Sequence, residues 1–268
     1  MDSEPTRTNE DVSSQNLVVE ILDRQFPFWS LGDVAMVAGF FLLAYLFFGI
    51  LALLIASGLP AFKAKNAIQI WGDVRIALAI QAVAYLAAGW FVYRMIARHY
   101  GVPFLRGIHW KWPKTKWPVY LIGGVVLAYL ITSLEAILPK PPELPIDKFF
   151  RSPIALWLFA SFGTVLAPLV EELFFRGLLF PALLRKLSVP VTILLTAFLF
   201  TLLHGVQLGW SWGPLLLIFL VALALTVVRA RAQSVAASVL VHLGYNLTLF
   251  FFEFIGTDGF RNLDKVIH

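Results

Sequence analysis

Glu171 and Glu172 stand together, four residues and one turn from Arg176, in a stretch that is otherwise apolar. Further along, Phe200 precedes His204 by four residues, and His242 precedes Asn246 by four. An ionisable side chain inside a membrane costs about 2.5–3.5 kcal/mol on insertion scales, so such residues are functional by default. Helix geometry separates their roles. Glu172 and Arg176 have the spacing and order of an ion pair along one helix face. That pair would neutralise Glu172 and lower its cost of burial. Glu171 is turned about 100° away and is left free to act on a water. His242 and Asn246 share a face, and Phe200 can pack on the ring of His204 one turn later.

A glutamate with two histidines can do two related things. Glu171, His204 and His242 could hold a divalent metal such as zinc, with a water in the open position. Alternatively, the glutamate and one histidine act as base and acid on a water, while an asparagine and the other histidine stabilise an oxyanion. Either arrangement hydrolyses an amide in a water-accessible cavity. The chain has no His-Glu-x-x-His pair on one helix, the common zinc-protease signature. Two histidines and one unpaired glutamate are few ligands, which favours metal-independent chemistry.

The elements that must carry these residues follow from composition. Of 268 residues, 59% are hydrophobic and 14% charged, against about 25% charged in soluble proteins. That excludes a disordered chain and an ordinary soluble domain. With no cysteine, disulfides, thiol nucleophiles and iron–sulfur clusters are excluded. Charge-free runs at 34–62, 76–93, 117–134, 152–170, 187–228 and 232–252 locate spans of roughly 20 apolar residues. The run 187–228 is too long for one helix and breaks at the Gly/Pro/Trp cluster 205–214. The expectation is an all-α, polytopic transmembrane helix bundle of about seven spans, eight at most. The spans fall at 34–56, 76–95, 117–138, 153–180, 189–206, 214–229 and 234–255. At 1.5 Å per residue, Glu171 lies about 21 Å from the Arg185 turn and His204 about 27 Å from Lys186. His242 and Asn246 lie about 16 and 22 Å from Arg231. Three helices thus present the four residues at overlapping depths.

Residues 1–30 form a polar, acidic tail, with a candidate interfacial helix over 16–30; 31–149 hold three spans, 150–256 a four-helix core, and 257–268 a C-terminal tail. No basic start with a short apolar run and cleavage site is present, which argues against a cleaved signal peptide. The segment 94–116 has six Lys and Arg and no acid, and Arg185-Lys186 and Arg229/Arg231 mark two further turns on the same side. By the positive-inside rule that side, with the N-terminus, is cytoplasmic, as for a multi-pass protein of a bacterial-type plasma membrane. The net charge of +5 is then a topology signal. Membrane lipids are partners and nucleic acid is not, since no folded soluble module is long enough to bind it. His99 and His109 belong to the basic loop and are expected to be solvated.

Glu-Glu-x-x-x-Arg, then Phe-x-x-x-His, then His-x-x-x-Asn, in this order on successive hydrophobic segments, resembles the CPBP family. These are the CAAX-protease and bacteriocin-processing (Abi) intramembrane proteases, which include the type II CAAX prenyl endopeptidases. The intervals are 33 residues from Glu171 to His204 and 38 from His204 to His242. Arg229-Ala-Arg231 and Ser234 before the small-residue run into His242 are also similar to that family. The resemblance covers roughly 150–255. It implies an endopeptidase of peptide or lipidated protein substrates, with a prenylated CAAX protein or a leader peptide as the family's cases. It also implies that Glu171 and His204 activate the water, His242 and Asn246 hold the oxyanion, and Glu172, Arg176 and Phe200 support the site. Such families have been described both as metal-dependent and as glutamate-dependent.

Gly209-Trp-Ser211-Trp-Gly213 matches the Gly-x-Ser-x-Gly nucleophile pattern, whose proper context is a strand-to-helix elbow. Here it reads as an interfacial turn. A serine-type protease using Ser211 with His242 is the competing hydrolase. A proton-coupled transporter relaying through buried Glu and His and a non-catalytic membrane scaffold are the non-hydrolytic alternatives.

Overall fold

The structure, a computed structural model, describes residues 26–139, 144–150 and 152–263, the side chains of 148–150 aside. Among them every regular element is helical. The seven main helices are α1 (Leu31–Ser57), α2 (Val74–His99), α3 (Lys114–Glu135), α4 (Pro153–Leu184), α5 (Val189–Leu203), α6 (Trp212–Ala232) and α7 (Val235–Gly256). Six are long and apolar enough to cross a membrane, and α5 is a shorter apolar helix. The protein is an integral multi-pass membrane protein. Among the described residues no eighth span appears; short turns at Ala67–Trp71 and Phe104–Gly107 fill the connections. Of the expected tail helix over 16–30, residues 16–25 lie outside the described residues. Residues 26–29 lack helical structure, and Ser30 forms the N-cap of α1.

Lipid is the solvent for much of this surface. Leu42, Leu43, Phe47, Ile50 and Leu54 on α1 are exposed, a pattern that an aqueous surface would not sustain over more than three turns. Buried side chains concentrate on α4 and α7. The α4 helix is central: it packs against α1, α2, α5 and α7. The α3 and α7 helices meet through glycine. A Cβ on Gly244 would run into the Leu121 carbonyl, and one on Gly124 into the Val241 carbonyl. Small residues let membrane helices approach backbone to backbone, and here they fix the helix that bears His242.

The cation-rich turns share one end of the bundle. Arg185 donates to the Pro27 carbonyl (3.0 Å), Phe26 stacks on His109, and the Val235 amide donates to the His109 carbonyl (3.2 Å). His109 is therefore packed into the end of the bundle, with positive φ, and is not a solvated loop residue. The segment after Gly256 folds back on the bundle: Phe260 is buried against Trp157, Phe250 and Phe254.

Candidate active site

The α4 helix is not a regular α-helix. It changes register twice, through π-helical turns at Phe162–Leu166 and Leu173–Leu179. The Ala167 amide reaches back five residues to the Phe162 carbonyl, and the Phe180 amide to the Phe175 carbonyl. In that register the next acceptors, Gly163 and Arg176, face Pro168 and Pro181, which have no N–H to give. Two backbone carbonyls are thus freed inside the bundle, where leaving them unbonded costs about 1–3 kcal/mol each. Other helices supply the donors. Asn246 Nδ2 on α7 donates to the Gly163 carbonyl (2.7 Å). Arg229 Nε on α6 donates to the Arg176 carbonyl (2.9 Å).

Glu171 and Glu172 lie between the two π-helical turns. Glu172 is fully buried and pairs with Arg176 at 2.9 Å, with both side chains inaccessible. Spacing alone gives this pair, but not its other members. His242 Nδ1 lies 3.0 Å from the same Glu172 oxygen. The Arg176 guanidinium also donates to the Ala222 carbonyl (2.8 Å) and to Thr226 Oγ1 (3.2 Å). A carboxylate accepts only, so His242 Nδ1 carries the hydrogen and Nε2 faces the other way. That face meets Glu171: His242 Nε2 and Glu171 Oε2 are 3.9 Å apart. The Glu171 side chain retains 17% exposure, whereas Glu172 has none. The two neighbours are thereby distinguished: one is locked in a buried ion-pair network, and the other borders accessible space.

His204 sits at the C-cap of α5, because the expected span 189–206 ends at Leu203. Its amide closes a tighter turn onto Thr201 (3.0 Å), and its Nδ1 bonds the Phe200 carbonyl (2.9 Å). With that carbonyl as acceptor, Nδ1 is the donor and Nε2 is left for other partners. Phe200 joins the two halves of the site. Its ring stacks on His204 (4.6 Å), lies 6.2 Å from His242, and takes the Arg176 guanidinium over its face at 4.8 Å. The structure therefore brings Glu171, Glu172, Arg176, Phe200, His204 and His242 into one cluster. Asn246 lies one turn beyond His242, with one amide hydrogen committed to Gly163.

For a metal, the donor set would be Glu171 with the Nε2 atoms of His204 and His242. Among the described residues no three His, Asp or Glu side chains come together to hold an ion. Glu171 Oε1 is turned instead towards Tyr85. This arrangement does not fit three-ligand zinc binding.

Several partners escape the sequence reading. Arg229 reads as a topology marker from its place in a cationic turn, yet it is 3% exposed and stacks its guanidinium on Phe180 (5.6 Å). A signal for it existed in Pro181, five residues after Arg176. Thr226 and Tyr85 carry no comparable signal. Ser211 occupies the N-cap position of α6 without a side-chain capping bond and is rimmed by exposed Trp210 and Trp212. Among the described residues its hydroxyl makes no hydrogen bond to either histidine.

The bundle thus holds a buried Glu/Arg/His network beside a second, more accessible glutamate. Residues 153–248, which run from the start of α4 into α7 and include every residue of that cluster, match the family described as type II CAAX prenyl endopeptidase Rce1-like. The matched family is one of proteases, and the resemblance read from the motif order holds over the helices that carry the site. UPF0177 protein YbdI of Lactococcus lactis subsp. lactis (strain IL1403) is 28% identical over 149 residues, covering 51% of this chain and 77% of that protein. No solved structure matches the chain.

Proposed function

We propose that the protein is an intramembrane endopeptidase that cleaves a membrane-associated peptide with a water activated by Glu171. One observation carries the reading: the 3.9 Å between Glu171 Oε2 and His242 Nε2. That gap is too long for a hydrogen bond between the two. It is short enough for both to address one tetrahedral carbon, the attacking oxygen on Glu171 and the oxyanion on His242. Glu171 takes a proton from the water as its oxygen bonds to the scissile carbonyl carbon. His204 Nε2 is the second contact to that water. His242 and the uncommitted hydrogen of Asn246 Nδ2 donate to the oxyanion. When the C–N bond breaks, the proton on Glu171 passes to the leaving nitrogen. In this role His242 carries both ring protons.

The substrate proposed is a C-terminal Cys-aliphatic-aliphatic-X sequence on a prenylated cysteine, as the name of the matched family suggests. The cation-rich end faces the cytoplasm in this reading, by the positive-inside rule. The test uses purified full-length protein in lipid vesicles. A farnesylated peptide of that type should be cleaved after the lipidated cysteine, and an unlipidated leader-type peptide should be cleaved far more slowly. Preference for the leader peptide would move the substrate class. Cleavage of neither, with ion flux across the vesicles, would favour a transporter.

A further inference from the structure

The matched segment 153–248 leaves out α1 and α2, yet α2 reaches the cluster. The Tyr85 hydroxyl donates to Glu171 Oε1 at 3.4 Å. Gln81, one turn earlier on α2, donates from Nε2 to the Tyr85 oxygen at 3.3 Å. The order fixes direction. An amide N–H already occupies a lone pair of the phenol oxygen, so its single proton points at the carboxylate. The ring cannot easily swing away. It stacks on Phe162 (5.6 Å, 21° between planes), in the first π-helical turn of α4, and is tilted against Phe41 of α1 at 5.4 Å. Three helices therefore converge on one phenol, and the phenol on one carboxylate oxygen.

A glutamate has several rotamers and two equivalent oxygens, and the reaction needs one oxygen in one place. Tyr85 occupies Oε1, which leaves Oε2 as the oxygen beside His242 Nε2. We infer that Tyr85, backed by Gln81, is a positioning residue that selects the reactive oxygen of Glu171. Through it the N-terminal helices complete a site whose motifs all lie downstream. The inference rests on Glu171 acting as the base.

The experiment compares Tyr85→Phe, Gln81→Leu and Glu171→Gln in the full chain, in vesicles, on the farnesylated peptide. Tyr85→Phe keeps the aromatic stacking and removes one hydroxyl. Expected is a fall in kcat of about 10–100-fold, the range for removing a partner that orients a reactive ligand, with KM within about twofold and an unchanged unfolding midpoint. Gln81→Leu should give a smaller fall of the same kind. Unchanged kcat in Tyr85→Phe with inactive Glu171→Gln overturns this inference and leaves the proposed function standing. A fall in kcat matched by a lower unfolding midpoint or a raised KM assigns Tyr85 to packing and also overturns it. Full activity in Glu171→Gln overturns the proposed function itself.

Discussion

Replacing Glu172 by Gln should unfold the bundle before it informs on catalysis. The substitution keeps shape and removes one charge. Arg176 is then a fully buried cation whose remaining partners, the Ala222 carbonyl and Thr226 hydroxyl, are neutral. Breaking a buried pair from one side costs about 3–5 kcal/mol, because the partner charge is left uncompensated. Glu172→Gln should therefore lower stability by that amount, measured by denaturant unfolding in detergent micelles. Glu171→Gln removes no ion-pair partner of Arg176 and should stay within about 1 kcal/mol of wild type. Replacing both charges, Glu172→Gln with Arg176→Met, should recover part of the loss, since a neutral pair carries no stranded charge. In any Glu172→Gln protein that folds, His242 Nδ1 loses its charged hydrogen-bond partner, and turnover should drop by about 10–100-fold. A Glu172→Gln protein as stable as wild type, or a Glu171→Gln protein that unfolds instead, would contradict these assignments.

Three further expectations follow from the same contacts. Asn246→Ala strands the Gly163 carbonyl and should cost about 1–3 kcal/mol, as well as cutting turnover about 10²–10³-fold by loss of an oxyanion donor; lost turnover with unchanged unfolding would remove the capping role. Arg229→Met should cost about 1–3 kcal/mol for the stranded Arg176 carbonyl, and combining it with Pro181→Ala, which restores an N–H in register, should return part of it. An equal loss in both backgrounds would show that the freed carbonyl is not what Arg229 serves. At the opposite end of α2, Arg75 and Lys65 hold the Asp73 carboxyl below the usual aspartate range. A depressed folded-state pKa gives stability that is present above the unfolded value, near 4, and is lost as pH falls through the folded one. The stability gap between wild type and Asp73→Asn should thus be full at pH 7 and shrink below about pH 4; a gap that widens on acidification would contradict the sign.

Much of this architecture is legible in the residues because a membrane punishes stray charge. Seven spans follow from where Asp, Glu, Lys and Arg are absent, and the break at 205–214 follows from Gly, Pro and Trp. The Glu172–Arg176 pair and the Phe200–His204 stack are one-turn relations, which helix geometry fixes locally. Relations between helices are not fixed that way. That His242 bonds Glu172 depends on the close approach of α3 and α7 at Gly124 and Gly244, and no periodicity encodes which two faces meet. The roles of Arg229 and Asn246 depend on register shifts in α4. Pro168 and Pro181 mark lost donors in the sequence, but the five-residue step that selects Gly163 and Arg176 appears only in the folded helix. Tyr85 is a tyrosine among many in an apolar helix until α2 is set against α4.

The proposed mechanism assigns water activation to Glu171 and a structural role to Glu172, without a metal. Its most direct measurement is single-turnover cleavage of the farnesylated peptide by wild type and Glu171→Gln, each before and after dialysis against a strong zinc chelator. Cleavage by wild type should survive chelation, and a folded Glu171→Gln protein should lose at least about 10²-fold. Cleavage that chelation abolishes and zinc restores, or a Glu171→Gln protein as active as wild type, would contradict it.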